Sequence, residues 1–333
     1  MKPSVVIVSP ALADANNGNW QTAHRWKKLL QAQFSARIVG HWPDGATAHN
    51  DTCMLALHAR RSAPSVLAWA QAKAPNTANG PAPGLAVVLT GTDLYRDILT
   101  DLQAQRSLQL AQRLVLLQER APDALPAPLR ARASVIFQST PTRQTLHKMP
   151  ATQGIRAVMV GHLREEKSPE TLFAAARLIK PADRIRLDHI GAGLDPALAA
   201  QAQATAAVCP HYRWLGGLPH ETTRKRIQRA HVLVHASRME GGAHVVMEAV
   251  CSGTPVLASR IAGNVGMLGA DYAGYFDWGN AHVLVALLQR CQSSPAFYAL
   301  LQSQCAARAP LFSPQAEQAA LLALVRGLVA SAA

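Results

Sequence analysis

The sequence predicts an α/β protein built from two parallel-sheet domains, and three observations carry that expectation. The chain has 333 residues, more than one ordinary core accommodates. Short apolar runs alternate with longer amphipathic ones, the pattern of βαβ units. The alternation is interrupted once, between 139 and 154, by an aperiodic stretch holding Pro141, Pro150 and several hydroxyl residues. This stretch is expected to link a domain over 1–150 to a second over 151–312, with 313–333 as a closing helix packing back on the first.

Each element follows from local pattern. The run at 5–8 reads as a first strand, and what precedes it is too short for a signal peptide, so a cytoplasmic location is expected. A helix at 20–33 places Ala23, Trp26 and Leu30 on one stripe. Further strands are expected at 54–58, 85–90, 114–117 and 135–138, with helices at 62–73 and 101–112 and a Pro/Ala/Gly/Asn-rich loop at 74–84. The second series has strands at 155–160, 186–190, 212–215, 232–235 and 255–258. Its helices start near Pro169, Asp195, Pro219 and Ala243, and the chain closes on a helix at 315–329. Two such domains facing each other define a cleft, because ligands of open parallel sheets bind at the carboxyl ends of the strands.

Bulk chemistry narrows the function. Apolar residues make up 49% and charged residues 16%, a globular composition without a bilayer-spanning run. The formal net charge of +13 attracts polyanions. The basic residues are spread out, with no basic tail or aromatic platform, which favours small anionic substrates over nucleic acid. The five cysteines form no C-x-x-C pair, so neither a disulfide framework nor a zinc site is indicated. No D-x-D motif is present to bridge a metal and a diphosphate, and no metal is expected. No G-x-G-x-x-G opens the first helix, which argues against a nicotinamide enzyme.

Four segments carry candidate chemistry. In the segment from His235 to Val256, a strand runs into Glu240-Gly241-Gly242-Ala243-His244 and a helix with Glu248 one turn inside. The glycines permit close backbone approach, and the helix start offers N–H donors to a diphosphate. Each glutamate can accept from adjacent hydroxyls, as in a ribose or a sugar. In the segment from Val160 to Phe173, Ser168 and Pro169 read as N-cap and N1 of a helix, and Lys167 stands beside that helix start. A cation there would stabilise charge on a leaving diphosphate. Asn16, Asn17, Gly18, Asn19 and Thr22 fall at the first strand–helix junction, with Asn19 read as the N-cap, and their amides suit a small anion. Thr90, Thr92 and Asp93 end a strand expected to face the same cleft.

The two glutamates, separated by seven residues and followed by Gly253-Thr254-Pro255-Val256, resemble the E-x7-E motif of family 4 glycosyltransferases of the GT-B fold. The resemblance implies that Glu240 touches the donor sugar and Glu248 the ribose. The 161–168 loop resembles that family's G-R-L-x-x-x-K-G segment, with Lys167 at the lysine. His162 stands where the family has arginine, so either His162 or Arg164 fills that role. Thr90-Gly91-Thr92 stands where many members place a sugar-holding histidine. The implied assignments are Lys167, Glu240 and Asn19 as catalytic, and Gly18, His162, Arg164, Gly241, Gly242, Ala243, His244 and Glu248 as donor-binding. Asn16, Asn17, Thr22, Thr90 and Thr92 are implied as acceptor-binding. No cofactor is implied.

The strings at 9–23, 56–62 and 89–98 are similar to a narrower group, the selenosugar synthases of selenoneine biosynthesis. That resemblance implies a UDP-sugar donor, UDP-N-acetylglucosamine or UDP-glucose, and selenophosphate as acceptor. It also implies contact with other enzymes of that pathway. A soft selenium nucleophile has less need of a general base than an alcohol. The competing expectation is a family 4 O-glycosyltransferase acting on a lipid or polysaccharide, with weak membrane contact through the 20–33 helix. Stable membrane insertion is not expected.

Overall fold

The computed structural model describes residues 2–10, 18–75 and 80–332. The chain divides into two compact units, Met1–Ser139 with Pro314–Ala333, and Thr140–Ser313.

The first unit runs β1 (Ser4–Val8), α1 (Gly18–Leu30), β2 (Ser35–Val39), β3 (Cys53–Leu57), α2 (Ala63–Lys73), β4 (Ala82–Val88), α3 (Ile98–Thr100), α4 (Leu102–Leu110), β5 (Ala111–Leu116) and β6 (Ala133–Val135). Its six strands are parallel in the order β2-β1-β3-β4-β5-β6. Side chains alternate across a strand, so Val6, Val8, Met54 and Ala56 enter one core and Val5, Ile7, Cys53 and Leu55 the other. Both faces are covered, which is why these strands read as continuous apolar runs.

The second core is completed by the closing helix Pro314–Ala332, whose Leu321, Val325 and Leu328 are buried in it. Each contributes about 2 kcal/mol by burial. Glu317, 1% exposed, ties that helix down. Its carboxylate accepts from Arg25 Nε and Trp26 Nε1 at 2.7 Å, from the Ser139 amide at 2.9 Å and from Ser139 Oγ at 2.5 Å.

The second unit runs β7 (Ile155–Val160), α5 (Pro169–Leu178), β8 (Ile185–Ile190), α6 (Pro196–Val208), β9 (Tyr212–Trp214), α7 (His220–Arg229), β10 (Val232–His235), α8 (His244–Val250), β11 (Val256–Ser259), α9 (Ala262–Leu268), β12 (Tyr275–Phe276), α10 (Ala281–Ser293) and α11 (Pro295–Arg308). The sheet is again parallel, ordered β12-β11-β10-β7-β8-β9. From β7 the chain winds outward through β8 and β9, then returns to β10 on the other side. The crevice at the carboxyl ends of β7 and β10 is therefore the switch point of this sheet.

Several elements depart from the sequence expectation. The helix predicted over 101–112 stops at Leu110, because the chain enters β5 at Ala111. The stretch predicted as a linker lies bound along the second unit. The Arg143 amide donates to Cys251 O at 2.8 Å, Arg224 Nη2 to Pro141 O at 2.9 Å and Gln228 Nε2 to Gln144 O at 2.7 Å. Among the described residues no helix is long and apolar enough to cross a membrane.

Candidate functional site

The loops that leave β7 and β10 meet at the switch point of the second unit. Two glycines let the end of β8 and the start of α9 approach these loops closely. A Cβ on Gly191 would stand 1.9 Å from Gly161 O, and a Cβ on Gly263 would stand 2.2 Å from Glu240 O. Side chains then cross-link the loops. Arg238 Nη1 pairs with Glu165 at 2.7 Å, and the Arg238 amide donates to Glu166 O at 2.9 Å. Ser168 takes the N-cap position of α5 in a left-handed conformation (φ 46°), yet its hydroxyl does not cap the helix. It accepts instead from Trp278 Nε1 at 2.8 Å.

At the centre, Lys167 Nζ stands 2.5 Å from Glu240 Oε1. Glu240 is 9% exposed. Burial pushes its carboxyl up, but the Lys167 ammonium and the His235 imidazole outweigh it and hold the group well below the usual carboxylate range. His235 Nε2 lies 3.3 Å from the same oxygen, an ion-pair distance without hydrogen-bond alignment. Lys167 and Glu240, 73 positions apart, are therefore brought together. The arrangement offers a cation to a leaving anion and a carboxylate to a hydroxyl.

Glu248 is buried one turn inside α8. His220 Nε2 contacts its Oε1 at 2.6 Å, and Arg224 Nε stands 3.8 Å from that oxygen. The hydrogen bond to Glu248 raises the His220 pKa against the effect of burial. Gly241 is buried, while Gly242 and His244 are half-buried. The Ala243 amide donates to Met267 Sδ at 3.1 Å.

His162 Nδ1 accepts from the Ala192 amide at 3.0 Å, which fixes that ring to the scaffold. Partial burial, Arg164 and Lys167 all lower its pKa. Arg164 is exposed on the same loop.

The first unit places other candidates at the carboxyl ends of β3 and β4. Asp93 Oδ1 accepts from the Thr90 and Gly91 amides and Oδ2 from the Ala59 amide, each at 2.9 Å. Thr92 Oγ1 lies 3.3 Å from His58 Nε2. His58 itself is in the left-handed region (φ 73°) and 3% exposed. It stands 3.9 Å from both Asp93 and Asp97, and Arg60 Nε is 3.0 Å from Asp97. Burial lowers the His58 pKa despite both carboxylates. Residues 93–97 form a π-helical turn, and such turns and left-handed non-glycine residues concentrate at functional sites.

Gly18 and Asn19 lie in the first turn of α1, so Asn19 is not the N-cap that the sequence suggests. Thr22 is 1% exposed, donates to Gly18 O at 2.8 Å and accepts from Gln138 Nε2. Asn16 and Asn17 fall outside the described residues. Among the described residues no group of three His, Cys, Asp or Glu side chains is placed to hold a metal ion.

Sequence reasoning passed over His58, Arg60, Asp97, His220 and His235. His58 lies within the 56–62 segment, and its left-handed backbone has no local sequence signal. His235 could have been found as a histidine at the apolar end of a buried strand, a position that needs a reason.

Residues 148–301 match the family described as Glycosyl transferases group 1. Among solved structures, a sucrose-phosphate synthase from Thermosynechococcus elongatus superposes with a TM-score of 0.76 at 17% identity, over 99% of this chain and 100% of that one. Anabaena HepE in complex with UDP-glucose gives 0.73 at 13% identity, over 97% and 99%. S. aureus TarM, in complex with fondaparinux, α-GlcNAc-glycerol and UDP, gives 0.63 at 14% identity over 83% of this chain, which spans 55% of TarM. The fold of this chain is thus GT-B, and residues 148–301 are the part of it that matches the group 1 glycosyl transferases.

Proposed function

We propose that this protein is a metal-independent glycosyltransferase that moves a sugar from a UDP-sugar to selenophosphate. The observation that carries the transferase reading is the Lys167–Glu240 pair, at 2.5 Å, on the switch point of the sheet. Lys167 and Arg164 meet the diphosphate and Lys167 stabilises the charge that UDP gains as the anomeric C–O bond breaks. Glu240 accepts from sugar hydroxyls and Glu248, steadied by His220, from the ribose diol. The UDP and UDP-glucose bound by HepE and TarM support a uridine nucleotide donor.

Selenium attacks the anomeric carbon as UDP leaves, and water then removes the phosphoryl group to give a 1-selenosugar and phosphate. The support for this acceptor is the resemblance at 9–23, 56–62 and 89–98, together with the cations Arg60 and Arg61 in the turn after β3. Incubation with UDP-N-acetylglucosamine or UDP-glucose and fresh selenophosphate, with EDTA present, should yield UDP and a selenium-bearing sugar by mass spectrometry. Nucleotide binding without that product would overturn the acceptor and leave the donor reading standing.

One observation favours a second reading, transfer to an alcohol on a lipid or polysaccharide. His58, a neutral imidazole flanked by Asp93 and Asp97, is suited to take a hydroxyl proton. Product formation from an alcohol acceptor with selenophosphate omitted would select that reading.

A further inference from the structure

Glu240 sits on a closely packed loop segment. Its backbone oxygen and Cβ lie against Gly263, where an added Cβ would collide at 2.2 Å. Lys167 reaches the Glu240 carboxylate on a flexible four-carbon stem. A bound diphosphate carries more negative charge than one carboxylate and competes for the same ammonium. When Lys167 turns to it, Glu240 loses the ion partner that makes its burial tolerable. A second basic side chain faces that oxygen. His235 Nε2 is 3.3 Å away, on a side chain 2% exposed, and makes no hydrogen bond.

We infer that His235 is a positioning residue that takes up a proton at Nε2 when a nucleoside diphosphate engages Lys167, so that Glu240 keeps a counter-charge and its place. This rests on the donor reading above. The proton comes from solvent, and no other bond changes. The charge then redistributes in one direction: the ammonium serves the ligand and the imidazolium serves the carboxylate. The remaining charged groups around the site are otherwise engaged or farther along the loops. Arg238 is paired with Glu165, and His162 is bonded to the Ala192 amide. Arg164 and Glu166 lie on the loop after β7. His220 and Arg224 face Glu248 from α7. From α9 and β11 the neighbours are the neutral Asn264 and Ser259, which bond to each other.

The test is UDP binding to the full-length protein, followed by calorimetry at pH 7.5 in buffers of low and high ionisation heat. The terminal phosphate of UDP and His220 also exchange protons, so the informative quantity is the difference between native protein and variant. Native protein should take up about one proton more per UDP than His235→Asn, and between pH 7 and 8 its Kd should weaken about tenfold more. Glu240→Gln should lose the same extra proton, and it carries the test if His235→Asn fails to fold. Equal proton counts in native protein and variants would overturn the inference while UDP binding upheld the donor reading. Failure of native protein to bind UDP would overturn both.

Discussion

Replacing Lys167 by methionine separates its contribution to folding from its contribution to turnover. At 2.5 Å the pair is worth about 7 kcal/mol of Coulomb energy at an effective dielectric of about 20, before the cost of removing both ions from water. Removing one partner of such a pair typically costs about 3–5 kcal/mol. Here the loss should fall at the low end, about 3 kcal/mol, since the Lys167 side chain is 18% exposed and His235 stands near. Urea unfolding should show this loss in Lys167→Met and most of it recovered in Lys167→Met/Glu240→Gln, where no buried charge is stranded. Turnover, read as UDP release, should fall about 10²–10³-fold in both variants, because neither can stabilise the leaving diphosphate. Acid supplies an independent check. A depressed carboxyl contributes stability above its unfolded value, near pH 4.5, and loses it as pH falls towards the folded value. The gap between native protein and Lys167→Met should therefore be widest near neutrality and narrow below about pH 4. A loss under 1 kcal/mol, or a double variant no more stable than the single one, would refute this account of the pair.

Three further outcomes follow. Glu317→Ala strands donors on Arg25, Trp26 and Ser139 and should destabilise the first unit by about 3–5 kcal/mol, seen in the fluorescence of the buried Trp26; a loss below 1 kcal/mol would remove Glu317 as the anchor. Gly191→Ala drives a methyl group into Gly161 O, 1.9 Å from the Cβ position, and should weaken UDP binding at least about tenfold by displacing the Lys167 loop. Unchanged affinity would show that loop placement is not needed for nucleotide. His58→Asn keeps a residue that tolerates the left-handed backbone, so stability should move by less than about 1 kcal/mol. If an alcohol is the acceptor, turnover should drop about 10²-fold, and the acid limb of the native profile should lie below the ordinary histidine value of about 6.5, because the lowered pKa keeps the ring neutral at lower pH. With selenophosphate the same variant should lose less than tenfold.

The parts of this fold that can be read from the chain are those whose pattern is strong and local. The strand Ile155–Val160, apolar except for the exposed Arg156, is flanked by glycines and ends where its sequence says it should. The strand Ser35–Val39 escaped notice because it lies at the sheet edge, where its side chains are exposed or half-buried and carry little alternation. Tyr275–Phe276 is too short for any periodicity. At the site, residue types and loop positions were legible in Lys167, Glu240 and Glu248. Their partners were not, because the Lys167–Glu240 contact depends on β10 pairing with β7, a crossover that no local pattern reports. The same holds for His58 and Asp97, joined only by the packing of β3 beside β4.

Glu317 and the apolar face of the closing helix have a consequence for how the chain comes off the ribosome. The first-made strand, Ser4–Val8, shares its core with Leu321, Val325 and Leu328, more than 300 positions later. The early segment therefore waits with an incomplete core while the whole second unit is synthesised. Thr140–Ser313 is contiguous, holds both its sheet and its covering helices, and can fold as soon as it emerges. The half translated first is thus the half completed last, and during that interval the N-terminal strands and α1 are the segments most exposed to aggregation or chaperone capture.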